Sequence, residues 1–169
     1  MASNVFGIPI TDETLKAMPK YEGKQITRYD RAYEAMNMKN DGGKDKEASN
    51  YVWNLKNDYG DGTSTLCLFY NATGDTIELV KSHNWYGHLY KVPYPQTIAN
   101  GQWAAFLHVK PDWPNSSCDG SAAGVVYRGK NAQGYKYDYM CSWHTPWWTA
   151  FACKVYCVKH FTIITRQVT

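Results

Sequence analysis

Few residues of this 169-residue chain have the types and spacing that catalysis or metal binding requires. His83 and His88 lie close together in an aromatic stretch, but the chain has neither an H-E-x-x-H sequence nor a C-x-x-C pair, so a metal site is not indicated. The chain also lacks the G-x-S-x-G sequence of a nucleophilic serine and the G-x-x-x-x-G-K loop that binds phosphate. The sequence therefore predicts no metal, no cofactor and no enzymatic activity.

Aromatic side chains are the remaining candidates, because the chain has 14 Tyr and 7 Trp. These residues combine an apolar ring with a polar tip, which suits hydrated surfaces as well as cores. One interpretation is a platform that binds a sugar face or a choline group by stacking or cation–π contact. The other is core packing with a few ordinary exposed rings, and Trp103 and Tyr127 are expected in the core. The candidate ligand-binding residues are Trp85, Tyr86, Trp113, Tyr137 and Trp143, with Trp147 and Trp148 also in or beside predicted loops.

Residues 1–62 are predicted to form a helical segment that packs on the rest of the domain. Thr11 is a suitable N-cap before two acidic residues, and Thr27 with Asp30 opens a second helix. A third helix ends near Gly60. The side chains expected to pack are Ala32, Tyr33 and Met36 on the second helix and the stripe Ala48, Tyr51, Val52, Leu55 and Tyr59 on the third.

Residues 63–148 have the period of two that is typical of strands, and they predict an antiparallel β-sandwich. The apolar run 66–70 and the run that starts at Ile77 are separated by a glycine-containing turn, which predicts a hairpin. A further strand is expected at 103–109 and a short one at 122–127. The clearest alternation is at 135–144, where aromatic residues and Cys141 alternate with polar residues and Met140.

Composition narrows the class of protein. The net charge of +3 is mild, and no element shows clustered Lys and Arg, so nucleic acid is not an expected partner. No apolar run reaches the length of a transmembrane helix, and the N-terminus lacks the pattern of a secretory signal. Five Cys, an odd number, fit free thiols in a reducing compartment. A soluble, cytoplasmic protein is expected, and nothing in the sequence excludes the nucleus.

Two phrases, LCLFYNATGDTIELV at 66–80 and VPYPQTIANGQW at 92–103, carry a family resemblance together with the opening MASNVFGIPIT. From the N-terminus to about Trp147 the chain resembles the plant jasmonate-induced proteins of the 23-kilodalton class. A weaker, pattern-level similarity links the β part to actinoporin- and aegerolysin-type sandwiches. The matching segments are residues 71–74, 85–87, 95–101 and 122–127.

The resemblance implies a protein of the plant response to jasmonate and to stresses such as salt and drought. The wider sandwich group implies a lipid or sugar ligand. Residues 149–169 depart from the family pattern and form a divergent tail, and relatives are expected to run longer. The resemblance therefore does not specify the last strands of the sandwich. On this pattern, an incomplete sandwich is expected at the C-terminus.

Two functional hypotheses follow from different classes. The first is a non-enzymatic stress protein that binds a membrane-lipid headgroup or a glycan. The alternative is a ligand-free interaction or storage-like stress protein. The oligomeric state does not follow from the sequence.

Overall fold

The computed structural model describes residues 4–112, 120–131, 133–146, 154–157 and 167–168. Within these ranges the helices are α1 (Asp12–Lys16), α2 (Arg28–Asn37) and α3 (Lys44–Tyr59), with short 3₁₀ turns at Pro19–Tyr21 and Asp41–Gly43. The strands are β1 (Val5–Phe6), β2 (Ser64–Tyr70), β3 (Ile77–Tyr86), β4 (His88–Leu89), β5 (Thr97–Ile98), β6 (Trp103–Val109), β7 (Ser121–Lys130), β8 (Lys136–Thr145), β9 (Lys154–Cys157) and β10 (Gln167–Val168).

The helix boundaries follow the predicted caps. Thr11 and Thr27 each form a capping box, in which the threonine side chain accepts a bond from the third residue of the helix and that residue's side chain accepts one from the cap backbone. Helix α3 ends at Gly60, whose φ of 79° is disfavoured for residues with a Cβ. The three predicted helices are therefore confirmed.

The predicted packing face of α2 is wrong. Tyr33 and Met36 are 53% and 57% exposed, whereas Glu34 and Ala35 are buried. Glu34 is tolerated there because Lys20 Nζ and the Tyr21 hydroxyl donate to its carboxylate at 2.7 and 2.8 Å. Burial disfavours the charged form, but these two hydrogen bonds outweigh it and lower the pKa of Glu34. Hydrophobic periodicity does not detect this ion pair, and it therefore predicts the wrong buried side for this helix.

The strands form two antiparallel sheets. In sheet 1 the strand order is β1-β6-β2-β10, with β4 also paired to β6, and in sheet 2 it is β5-β3-β7-β8-β9. The chain is mainly β with a helical N-terminal segment, as predicted. The segment is tied to the sheets directly, because β1 pairs with β6, and the tail region 149–169 supplies β9 to sheet 2 and β10 to sheet 1.

The predicted hairpin between the runs at 66–70 and 77–79 is wrong, because β2 and β3 lie in different sheets. Asn71 fixes the crossing: its side-chain amide donates to the carbonyls of Asp75 and Ile98, each at 2.8 Å. Every residue of β2 is buried, since one side faces the inter-sheet core and the other faces α3. A continuous apolar run of this kind indicates a strand covered on both sides.

Large side chains from both sheets fill the core between them. Phe69 and Phe106 from sheet 1 stack with ring centroids 5.2 Å apart, and Tyr127 and Trp143 from sheet 2 pack against the same cluster. On the opposite, outer side of sheet 1, helix α3 covers a second cluster that includes Trp103. Sheet 2 turns its outer side to solvent, and the exposed β3 residues on that side include Lys81, His83 and Tyr86.

Candidate functional site

Trp85 and Tyr86 are the last residues of β3, where the strand leaves sheet 2. The pairing of β3 with β7 is irregular between Asn84 and Tyr86, and the next residue, Gly87, has a φ of 86°. A Cβ on Gly87 would collide with the carbonyl oxygen of Val109, so only glycine fits this crossing to β4. The crossing leaves the Trp85 and Tyr86 side chains 56% and 44% exposed.

The neighbouring strand β7 carries small residues beneath these rings. The Trp85 indole lies over Gly124, with its outer carbons 3.3 Å from the position a Cβ would take. Tyr86 pairs with Ala122, and Ala122 pairs with His144 on β8. The Tyr86 and His144 rings therefore meet across an alanine, with centroids 6.5 Å apart.

The fourth ring is that of His83, whose centroid lies 5.0 Å from that of Trp85 in an edge-on arrangement. We refer to His83, Trp85, Tyr86 and His144 as the aromatic patch. The rings pack on the backbone and small side chains of β7, which is hydrogen-bonded on both sides. The patch is therefore a supported, solvent-exposed surface. Such a surface can stack on an apolar or sugar face and attract a cation by its π electrons.

Two predicted site residues do not belong to this surface. The expectation that Trp143 and Tyr137 share a platform with Trp85 is wrong, because successive side chains of a strand point to opposite sides of the sheet. Trp143 is 3% exposed and packs its ring on Phe106 in the core. Tyr137 is half-buried on the same core-facing side of β8, with its ring 5.2 Å from that of Tyr139.

The remaining aromatic candidates are Trp113, Trp147 and Trp148, which lie outside the described residues. Trp103 and Tyr127 are buried in the core, as predicted.

A buried polar cluster joins the two sheets near one end of the sandwich. His108 of β6 lies with Nδ1 2.8 Å from the Ser121 hydroxyl of β7, and its Nε2 is 3.3 Å from Oδ1 of Asn84. Thr65 bonds to the hydroxyls of Ser121 and Thr145 at 2.7 and 2.9 Å. Sequence patterns do not predict this convergence, since its members come from five different strands.

The His108–Ser121 pair resembles the start of a catalytic triad, but its surroundings do not suit catalysis. Both residues are fully buried, so a substrate does not reach the serine. Burial, with a smaller effect of the charge on His88, lowers the pKa of His108 to about 3. The imidazole is therefore neutral, and its hydrogen bonds connect the two sheets.

Thiols and metal ligands add no second site in the part of the chain that the structure describes. Cys67 and Cys141 are buried, and burial raises the pKa of the Cys67 thiol. No cluster of three or more potential metal ligands occurs among the described residues. None of the described helices is long and apolar enough to cross a membrane.

A second group of exposed aromatic residues lies on α2. Tyr29 and Tyr33 are 77% and 53% exposed, and Met36 lies on the next turn of the same helix side. The two tyrosine rings stack with centroids 6.5 Å apart. This α2 stripe, defined as Tyr29, Tyr33 and Met36, is the natural comparison for the aromatic patch.

The geometry defines a class: a two-sheet antiparallel sandwich with a helical N-terminal segment and an exposed aromatic surface on one sheet. Comparison with known families assigns the chain more closely. Residues 6–161 match the family model described as Nakanori-like protein, and the chain belongs to this family.

Named relatives agree with the resemblance seen in the sequence. The chain is 47% identical over 148 residues to the 23 kDa jasmonate-induced protein of Hordeum vulgare, which covers 87% of this chain and 69% of the relative. It is 30% identical over 83 residues to the jasmonate-induced protein homolog of Atriplex canescens, covering 49% of this chain and 42% of that protein. The predicted relation to the 23-kilodalton class is confirmed.

A solved structure extends the comparison to the fold. The crystal structure of the lipid binding protein Nakanori superposes with a TM-score of 0.79 at 27% sequence identity, covering 96% of this chain and 74% of that one. The similarity includes both sheets, so the architecture is that of a known lipid-binding protein.

Proposed function

We propose that this chain is a non-enzymatic lipid-binding protein that contacts lipid headgroups through the aromatic patch. The observation that carries the proposal is the 56% exposure of Trp85, which lies at an irregularity of β3 with its ring over Gly124 of the neighbouring strand β7. A large ring held in water on a rigid sheet gives little to the stability of the fold, whereas it suits an interface where one side is apolar and the other wet.

The comparisons support the lipid part of the proposal. Nakanori is named as a lipid binding protein and shares the fold over almost the whole of this chain. The names of the other relatives describe jasmonate-induced proteins rather than enzymes. We extend this to a role in the plant response to jasmonate, salt and drought, exerted from the cytoplasm. Transcript levels after jasmonate or salt treatment, and the position of a fluorescent fusion, test that extension.

Vesicle co-sedimentation tests the binding site. Stacking and cation–π contacts are each worth roughly 0.5–2 kcal/mol, so Trp85→Ala and Tyr86→Ala are each expected to weaken binding between about twofold and thirtyfold. The melting temperature should change little, because both rings lie at the surface.

Trp143→Ala is the matched control, because it removes the same ring from the core side of the same sheet. It should melt early. If Trp85→Ala melts as early as Trp143→Ala, the Trp85 ring is part of the core and the site is misplaced. If Trp85→Ala stays folded and binds vesicles like the unmodified protein, the patch is not the lipid site.

A glycan is the competing ligand, because exposed aromatic rings also stack on sugar faces. A glycan array probed with the protein and with Trp85→Ala separates the two. If the protein binds glycans through the patch and does not bind vesicles, the ligand is a sugar rather than a lipid. Binding to neither favours the ligand-free interaction or storage-like alternative.

A further inference from the structure

The outer side of sheet 2 carries most of the charge imbalance of the protein. Strand register places seven charged side chains on this side. They are the cations Lys81, Arg128, Lys130, Lys136 and Lys154 and the carboxylates Glu78 and Asp138. This side of the sheet is therefore net +3, as is the whole chain with its 18 Lys and Arg against 15 Asp and Glu. The other described residues have 11 Lys and Arg against 12 Asp and Glu, so among the described residues the excess positive charge lies on this sheet.

The lysines on this side have no structural task among the described residues. Arg128 forms a two-pronged ion pair with Asp138 at 2.6 and 2.8 Å. By contrast, Lys81, Lys130, Lys136 and Lys154 are exposed, and within the described ranges they make no ion pair or side-chain hydrogen bond.

Three lysines elsewhere in the described part of the chain have partners within the fold. Lys44 donates to the carbonyl of Gly101 at 2.8 Å, Lys56 donates to the carbonyl of Gly60 at 2.8 Å, and Lys91 pairs with Asp58. The unpaired lysines on sheet 2 are therefore free to meet an external anion.

Exposed apolar side chains lie on the same sheet as these lysines. Val80, Trp85, Tyr86 and Met140 are all more than 40% exposed on this sheet. At one end of it, a cavity of about 530 Å³ is lined by Val80 and Glu78 together with the cations Arg128, Lys130 and Lys136. Rings and aliphatic groups interspersed with lysine ammonium groups match the boundary between anionic headgroups and acyl chains.

We infer that the lipid surface bound by this protein is anionic, with phosphate and carboxylate headgroups held by the lysines on the outer side of sheet 2. The inference rests on the proposed function and names its lipid class. A nucleic acid fits less well, because Val80 and Met140 offer neither a ring for base stacking nor a donor for phosphate. A membrane surface uses both kinds of side chain at once.

The test compares vesicles of phosphatidylcholine alone with vesicles that also contain about 30 mol% phosphatidylserine, in low salt. The protein should partition several times more strongly onto the anionic vesicles, and raising the salt from about 0.1 M to about 0.5 M should remove most of the gain. One lysine near an anionic surface is worth roughly fivefold in partitioning. The double variant Lys81→Glu and Lys154→Glu should therefore lose on the order of twentyfold or more.

Lys46→Glu is the matched control, because Lys46 is equally exposed but lies on α3, which covers the other sheet. It should change anionic binding little and leave the melting temperature unaltered, as should the double variant. Equal binding to the two vesicle types overturns the anionic inference and leaves the proposed lipid function standing. Lys46→Glu changes the net charge by half as much as the double variant, so a loss of half the binding free energy lost by the double variant also overturns the inference, because net charge rather than this surface then controls binding. Absence of binding to either vesicle, or binding to duplex DNA instead, overturns the proposed function as well.

Discussion

The outer sides of the two sheets differ in what the sequence places on them. On sheet 1 the outward residues are large and apolar, among them Leu66, Leu68 and Trp103, and all three are buried beneath α3 and its neighbours. On sheet 2 the central strand has Ala122 and Gly124 at the corresponding outward positions, with exposed rings and lysines on the flanking strands.

The difference explains why the outer side of sheet 1 is covered by a helix and the outer side of sheet 2 is not. Apolar surface gains about 25 cal/mol for each Å² removed from water, so the large side chains on sheet 1 are stable only when covered. Small residues at the centre of sheet 2 leave little apolar surface to cover. The rings that remain in water there are not required for folding, and this separates the residues of the fold from those available to a ligand.

The largest expected effect is on the covered side. Trp103→Ala removes a ring that is 2% exposed and whose Nε1 donates to the Lys39 carbonyl at 2.9 Å. The loss should be roughly 3–5 kcal/mol, which corresponds to about 10 °C or more in melting temperature for a chain of this size. Thermal unfolding followed by circular dichroism measures it. A melting temperature within about 2 °C of the unmodified protein would show that α3 does not seal this side.

The interior between the sheets should be acid-sensitive through His108. Its pKa is about 3 in the folded protein against an ordinary value of 6.5, so between these values the unfolded chain binds a proton that the folded protein does not. The contribution is fully present above pH 6.5 and is lost as the pH falls towards 3. From pH 6.5 to about pH 5 it amounts to about 2 kcal/mol, before the carboxylates titrate.

Urea unfolding at several pH values tests this slope. His108→Gln keeps a side chain that can donate and accept hydrogen bonds but does not titrate. The variant should be less stable at pH 7, because its amide fits the cluster less well, and its stability should be nearly independent of pH between about 6.5 and 5. An unchanged slope in the variant would assign the acid sensitivity to other groups.

Substitution of Gly87 should destabilise the fold for two reasons, a steric collision and the strain of a positive φ. Gly87 and Gly134 have nearly equal φ values of 86° and 84°, but only Gly87 has a backbone atom where a Cβ would sit. Gly134→Ala should cost roughly 1–2 kcal/mol from the left-handed conformation alone, and Gly87→Ala clearly more. Equal losses of stability in chemical denaturation would mean that the approach of Val109 is not close enough to matter.

The smallest effect on stability is expected at Gly124. An added Cβ would lie 3.3 Å from the Trp85 ring and 3.4 Å from the Ser142 Cβ, so the indole must shift by a few tenths of an ångström. Gly124→Ala should keep the melting temperature within a few degrees and weaken lipid binding by altering the ring.

A double variant separates the Gly124 effect from a general one. In a Trp85→Ala background the Gly124→Ala change should have no further effect on binding, because the ring that it displaces is absent. Additive losses would mean that Gly124 acts independently of Trp85.

Local signals in the sequence predicted much of the fold. The capping residues Thr11 and Thr27 mark the helix starts, and the alternation at 135–144 predicts β8 and its two sides. The same alternation, applied strictly, already places Trp143 with Tyr139 and Cys141 on the core side and His144 on the other. The predicted hairpin was wrong because it rested on local sequence alone. Residues 71–76 do not distinguish a hairpin turn from a crossing between sheets.

The candidate site was only partly predictable. Residue type identifies Trp85 and Tyr86 as candidates, but the sequence does not predict the side that they face. The reason is that β3 has irregularities between Leu79 and Lys81 and between Asn84 and Tyr86. Each irregularity shifts the phase of the side-chain alternation. The sequence does not predict the lysine surface, because its lysines are scattered over four strands and only the register of the sheet brings them to one side.

The central claim is that the outer side of sheet 2, and not another exposed aromatic surface, meets the lipid. Hydroxyl-radical footprinting with and without anionic vesicles tests it directly, since Trp, Tyr and Met side chains react readily when exposed. Trp85, Tyr86 and Met140 report on sheet 2, and the α2 stripe of Tyr29, Tyr33 and Met36 is a matched set elsewhere on the surface. Vesicles should protect the sheet 2 residues and leave oxidation of the α2 stripe unchanged. Protection of the α2 stripe with unchanged oxidation of Trp85, Tyr86 and Met140 would contradict it.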